Sequence, residues 1–372
     1  MTQKSTPAVW MRGGTSNGLF FRPEDLPSQS QDRDRLLLSA IGSPDSYGNQ
    51  LNGLGGATSS TSKICIVGPS KQADCDVDFL FGHVSIEEAV IDYSGNCGNL
   101  SSAVGVYAIE QGLVKATGEL TVVRVWQENL NQRLTVHVPT DSQGRVVFAG
   151  DVEIAGVSGT GAGVKVEFLN PGFDNEGHVF PTGNPMDVLD VPHVGKVDAT
   201  LVHAGNATIF IEAQRFRLHG TESPKTLLAN DNMMAKLEQI RCAGAIAMGL
   251  GEDPDWITQH QPATPKVCLL SASKDDSVDL VARIISMGKP HHAMTGTGAI
   301  ALAVAAAIPG TVAYQLRNTG EVTEQLELNF AHAAGTMSVS AQVLPESHVA
   351  VSASMIRTAR TLMQGVVFTL VE

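Results

Sequence analysis

The stretch Asp92-Tyr93-Ser94-Gly95-Asn96-Cys97-Gly98-Asn99-Leu100 constrains the fold more than any other part of the 372-residue chain. It closes an extended segment and launches a run, Leu100 to Ile109, that is apolar or small at nearly every position and stops at Gly112. A helix without a polar face has to be buried. Cys97 then stands at the N-terminus of a buried helix between Gly95 and Gly98. There the unpaired backbone N–H groups and the helix dipole favour a thiolate and attract anions. The bland alternative is a turn holding a small buried cysteine. The Gly and Asn frame on both sides favours a functional turn, because glycine lets the backbone approach a ligand closely.

The length allows two domains. A net charge of -13 argues against general binding to nucleic acid or an anionic membrane, so positive potential for an acidic substrate must be local. No signal peptide is visible, and no apolar run reaches the ~20 residues that span a bilayer. The five cysteines (65, 75, 97, 242 and 268) contain no CxxC pair. That usage fits reduced thiols in the cytoplasm, with neither a disulfide framework nor a zinc site.

Ala8 to Phe21 reads as strand, turn and strand around Met11-Arg12-Gly13-Gly14-Thr15-Ser16-Asn17-Gly18. The spacing is not that of a P-loop. A Gly-Gly turn beside Thr15 and Ser16 can aim N–H and hydroxyl donors at a carboxylate, although a plain hairpin reads the same way. Pro23 to Ile41 reads as a helix ended by Gly42. A glycine- and hydroxyl-rich segment, Asn52 to Ser62, leads to Lys63 at the mouth of the apolar strand Ile64 to Val67. A lysine entering an apolar strand is desolvated, which favours the neutral amine and makes it a usable base. The ordinary alternative is a surface lysine at a strand end.

Strands are expected at 75–81, 83–93, 120–127, 133–139, 146–156 and 163–169, as antiparallel meanders. Pro181-Thr182-Gly183-Asn184-Pro185 is the expected junction, giving domains of 1–184 and 185–357, with a last strand of about 358–372 that can return to the first. The second series predicts strands at 197–203 and 207–212, a helix over 223–249, a loop at 253–265, a strand at 266–271 and a helix over 278–286. His291-His292 have no third ligand at a zinc spacing. Thr295-Gly296-Thr297-Gly298 then opens a second apolar run ended by Pro309-Gly310. Strands follow at 325–330, 336–343 and 348–355, then a short amphipathic turn and strand over 356–368.

The halves echo each other: in each, a Gly-rich turn opens a short buried helix. Two helix N-termini facing across a cleft would suit a small di- or tricarboxylate. The pattern resembles the diaminopimelate-epimerase-like fold, an α/β (α+β) class of two similar domains with mostly antiparallel strands wrapped around a central buried helix. Cys97-Gly98-Asn99 matches that fold's first cysteine motif. Thr295-Gly296-Thr297-Gly298-Ala299 matches its second, with Thr295 in place of the second cysteine, which argues against a two-thiol amino-acid epimerase.

The chain resembles the PrpF family more closely, through Met11 to Gly18, Gly55 to Lys63, Asp76 to Phe81, Ser94 to Leu100, Phe180 to Asn184, Ser286 to Lys289, His291 to Met294 and Ile308 to Thr311. The resemblance implies cofactor-independent isomerisation of an unsaturated polycarboxylate, with Lys63 and Cys97 as the catalytic acid–base pair and no metal. The Ser-Gly-Asn-Cys-Gly-Asn-Leu form looks most like the 2-methylaconitate branch of propionate catabolism and the methylcitrate cycle. 4-Oxalomesaconate tautomerase and 3-methylitaconate Δ-isomerase are the alternatives. Expected binding residues are Arg12, Gly14, Thr15, Ser16, Asn17, Ser62, Asn96, Gly98, Asn99, Thr295, Gly296 and Thr297. Two departures, Asn17 for the family's lysine and Ala331-His332-Ala333-Ala334-Gly335 for a Gly-His-Pro-Ser-Gly pattern, bear on which substrate is used. An accessory role beside an aconitase-like enzyme is the reading from another class, and a homodimer is compatible with the chain.

Overall fold

The structure is a computed structural model that describes residues 2–318 and 320–371. The chain forms two compact units, Met1–Val166 with Arg357–Glu372, and Glu167–Ile356. The sequence places the junction at 184/185; the turn at 181–185 lies inside the second unit.

In the first unit the helix Gly98–Glu110 is buried from Gly98 through Ile109. Its small positions let strands approach closely, and each wholly buried Val or Leu contributes ~1.5–3 kcal/mol. Neighbouring strands run in the order Ala359–Val371, Thr2–Gly13, Ser16–Phe21, Lys63–Pro69, Val77–Val84, Leu120–Gln127 and Gln132–Pro139. Two of these pairings are parallel, Ser16–Phe21 with Lys63–Pro69 and Val77–Val84 with Leu120–Gln127; the others are antiparallel. A second helix, Ser30–Ile41, packs Leu36, Leu37, Ala40 and Ile41 on the opposite sheet face with Ile64 and Ile66.

The second unit repeats this plan. From Gly195–His203 the order continues through Ala207–Glu212, Lys266–Ala272, Leu280–Ser286, Gln325–His332 and Gly335–Leu344. The pairings again alternate antiparallel, parallel, antiparallel, parallel, antiparallel. Helix Gly296–Ala307 is buried throughout and occupies the place that Gly98–Glu110 has in the first unit. Helix Asp231–Ala247 takes the outer position, sharing a core with Val267 and Leu269. Strand alternation turns Lys63 and Cys65, and equally Lys266 and Cys268, to the face opposite these outer helices. Lys63-Ile64-Cys65-Ile66 and Lys266-Val267-Cys268-Leu269 are thus structural counterparts, an echo that sequence reading missed.

Several local expectations are corrected. Leu280–Ser286 is a strand, not a helix; Val281, Ile284 and Ile285 are β-branched and the segment pairs with Lys266–Ala272 on one side. The helix expected over 223–249 divides into Pro224–Leu228 and Asp231–Ala247, because Asn230 caps the second piece by accepting from the Met233 N–H. The loop at 253–265 contains the helix Pro254–His260, capped by Asp253. The first outer helix starts at Ser30; Pro23 and Pro27 restrict the chain before it. The long strand at 83–93 is reduced to Ile91–Asp92 beyond Val77–Val84, and that at 146–156 to Val152–Glu153.

Gly105 tests the packing around the first central helix. A Cβ built there would lie 2.6 Å from Val136 Cγ1 and 2.8 Å from Val138 Cγ2. Helix propensity alone makes Gly→Ala stabilising by about 1 kcal/mol, whereas overpacking costs about 1–3 kcal/mol. Gly105→Ala is therefore expected to lower the urea midpoint. A raised midpoint means the helix is less tightly enclosed than described.

Candidate active site

Lys63 opens its strand and is only 5% exposed. Its Nζ lies 3.3 Å from Cys97 Sγ and donates to Ser16 Oγ at 2.9 Å. Cys97 is the N-cap of the first central helix, and its Sγ accepts from the Leu100 N–H at 3.5 Å. The parallel pairing of Ser16–Phe21 with Lys63–Pro69 brings hydroxyl and amine to one end of the sheet. Thiol, amine and hydroxyl thus meet where the helix presents its N–H groups. The neighbouring thiol of Cys65 is different: complete burial pushes its pKa well up, which keeps it neutral.

Asn96 accepts from the Cys97 N–H at 2.6 Å through Oδ1. Its Nδ2 is buried and has no hydrogen-bond partner among the described residues. A buried amide donor left over beside the thiol is what a carboxylate acceptor would satisfy. Gly98 and Asn99 are the first helical residues, so their N–H groups have no acceptor within the helix.

The Gly13-Gly14 turn lies against this helix end. A Cβ on Gly13 would come within 2.5 Å of the Asn99 carbonyl, and one on Gly14, at φ +49°, within 2.3 Å of Asn99 Oδ1. Thr15 Oγ1 accepts from Asn99 Nδ2 at 3.1 Å. Other expected residues are held differently. Arg12 donates to Gly14 O at 3.0 Å, Thr358 O at 2.9 Å and Thr358 Oγ1 at 3.0 Å, so its charge braces the turn. The Asn17 N–H donates to Ser60 O at 2.9 Å. Ser62 is fully buried and donates to Gln50 Oε1 at 2.7 Å. Gln50 also accepts from the Ala57 N–H, so it organises the glycine-rich loop; nothing in the sequence marks it out.

In the second unit Thr295 caps the central helix, its Oγ1 accepting from the Gly298 N–H at 3.2 Å. Gly296 and Thr297 follow, both buried. His291 and His292 stack with ring centroids 4.6 Å apart, and among the described residues no cluster of His, Cys, Asp or Glu is arranged to hold a metal ion. Nor is any helix among them long and apolar enough to cross a membrane.

The family described as PrpF protein matches residues 3–370. The chain belongs to the PrpF family. It is 44% identical to 2-methyl-aconitate isomerase of Shewanella oneidensis, the alignment covering 98% of this chain and 97% of that protein. The solved structure of a methylitaconate-delta-isomerase is 35% identical, with a TM-score of 0.77 over 99% of this chain and 96% of that one. A hydroxyproline epimerase from Agrobacterium vitis shares only the fold, at 11% identity and a TM-score of 0.59 over 98% of this chain and 92% of that one. The protein is thus a PrpF-family isomerase with the diaminopimelate-epimerase-like α/β fold.

Gly14→Ala is expected to lower kcat/KM on the order of 100-fold, because it displaces the turn from the helix end. Gly112→Ala is the control, since its φ of +70° is equally strained but no atom lies within 4 Å. Steady-state kinetics on the turnover substrate measure both; equal effects would assign the loss to backbone strain.

Proposed function

We propose that this PrpF-family protein interconverts the cis and trans forms of 2-methylaconitate or aconitate by proton transfer through Lys63 and Cys97. The observation that carries the reading is the 3.3 Å approach of Lys63 Nζ to Cys97 Sγ at a helix N-terminus. The similarity to a 2-methyl-aconitate isomerase supports that substrate over methylitaconate, whose isomerase is the less similar relative.

One member of the pair removes a proton from an allylic carbon next to a carboxylate. The electron pair passes into a conjugated dienolate, whose former double bond can rotate, and a proton then returns to the same carbon. Proton transfer by positioned groups of this kind is worth ~10²–10⁴-fold. Helix N–H groups at Gly98 and Asn99, with the Asn96 amide, receive carboxylate charge and the charge that develops in the dienolate. Ser16 holds the lysine in place and completes the polar group around it.

A panel of 2-methylaconitate, aconitate, methylitaconate and oxalomesaconate, followed by proton NMR, tests the substrate. Turnover of methylitaconate or oxalomesaconate alone would move the protein to another branch of the family. Lys63→Ala and Cys97→Ser are each expected to lower kcat by at least ~10³-fold while the fold persists. Near-wild-type kcat in either variant overturns the assignment.

Run in D2O, the reaction is expected to place deuterium at the allylic carbon of the product. Reversible addition of the Cys97 thiolate to the double bond would also permit rotation, but needs no allylic proton loss. Absence of deuterium, together with residual activity in Lys63→Ala and none in Cys97→Ala, would replace the acid–base pair by that route.

A further inference from the structure

Arg357 opens the C-terminal segment of the first unit and is 5% exposed. A buried guanidinium is costly unless its hydrogen bonds are well used, and burial alone lowers its pKa to about 10. Its Nε donates to Asn99 Oδ1 at 3.0 Å. Asn99 is the second residue of the central helix, two positions after Cys97. Its Nδ2 in turn donates to Thr15 Oγ1 at 3.1 Å.

The chemistry of the three groups dictates their polarity. A guanidinium can only donate, so the atom of Asn99 facing it must be the carbonyl oxygen. The amide NH₂ is then directed at Thr15, whose oxygen accepts. A hydroxyl that accepts from Asn99 keeps its own hydrogen for another acceptor. A carboxylate can only accept, so this is the orientation of Thr15 that serves a carboxylate. Were the amide reversed, the Thr15 hydrogen would be drawn to Asn99 and its lone pairs turned towards the ligand. The close packing of Gly14 on Asn99 Oδ1 and Arg357 Cδ fixes the positions of all three.

We infer that Arg357 is a positioning residue that sets the amide of Asn99 and thereby makes Thr15 an obligate hydrogen-bond donor to a substrate carboxylate. This rests on the polycarboxylate reading above. It adds that carboxylate affinity at the Gly13-Gly14 turn is set by a buried cation that acts through two other side chains.

The test is a double-mutant cycle read by calorimetric titration with propane-1,2,3-tricarboxylate, a saturated acid that cannot isomerise. Thr15→Val and Arg357→Met are each expected to weaken binding about tenfold or more, the loss of a hydrogen bond to a charged group. The double variant should lose about as much as Thr15→Val alone, because both changes remove the same donor. Thr15→Ser should bind like wild type. Losses that multiply in the double variant overturn the proposal, since a merely structural Arg357 would act independently of Thr15. Wild-type affinity in Arg357→Met overturns it as well. If Arg357→Met does not fold, Asn99→Ala takes its place in the cycle with the same expectation. Turnover of 2-methylaconitate by wild type is measured in parallel. Binding of the probe without turnover defeats the substrate assignment and leaves the cycle interpretable. Turnover with multiplying losses defeats only the Arg357 role, and failure of wild type to bind the probe defeats both.

Discussion

A helix that is apolar on every side can exist in water only inside a closed wrap of strands, and this requirement organises both units. Such a helix has no polar flank on which to place chemistry. Its N-terminal N–H groups are the polar groups it cannot satisfy internally. Whatever function the unit has therefore gathers at that end, and the residues there must be small, hydroxylated or able to cap. Cys97 and Thr295 both meet this need, each accepting from a backbone N–H in the first turn. Glycines packed at these helix ends follow from the same crowding: Gly13, Gly14 and Gly298 leave no room for a Cβ.

How far this was legible in the sequence follows from what determines each feature. The two central helices are visible because total apolarity over a short run flanked by Gly has few other solutions. Lys63 and Cys97 are visible because a lysine beside an apolar strand and a cysteine between glycines break the local pattern. Leu280–Ser286 reads as a helix from sequence because an apolar run this short, interrupted by Arg283, has no clear period to separate strand from helix; its β-branched content is the signal to weigh. Pro254–His260 is one short helix defined by its Asp253 cap, not by hydrophobic spacing.

The missed side chains share a different cause. Gln50 and Arg357 act through partners outside their own local segments, and no local motif announces them. Gln50 reaches Ser62 across the loop, and Arg357 reaches Asn99 across most of the chain. Ser62 and Arg12, expected at the ligand because of their chemistry, also donate to protein acceptors. A donor can be counted as available only when its partners are known. That information lies in tertiary structure, not in residue type.

The asymmetry between the units bears on the proton transfer proposed for Lys63 and Cys97. The scaffold is repeated down to the alternation of parallel and antiparallel strands and the paired Lys63/Lys266 strand openings. The thiol is not repeated: where the first helix has Cys97, the second has Thr295, whose hydroxyl does not titrate near neutrality. Inverting a stereocentre requires one group to take a proton from one face of a planar intermediate and another to deliver it to the opposite face. Lys63 and Cys97 come from one unit and lie 3.3 Å apart, so a planar intermediate has no room between them. That arrangement is poor for racemisation. It is sufficient for a dienolate, in which the proton leaves and returns at one carbon while the stereochemical change occurs by rotation about a neighbouring bond. Replacing one thiol by a threonine therefore keeps the cap of the second central helix while removing a group that could exchange a proton near neutrality.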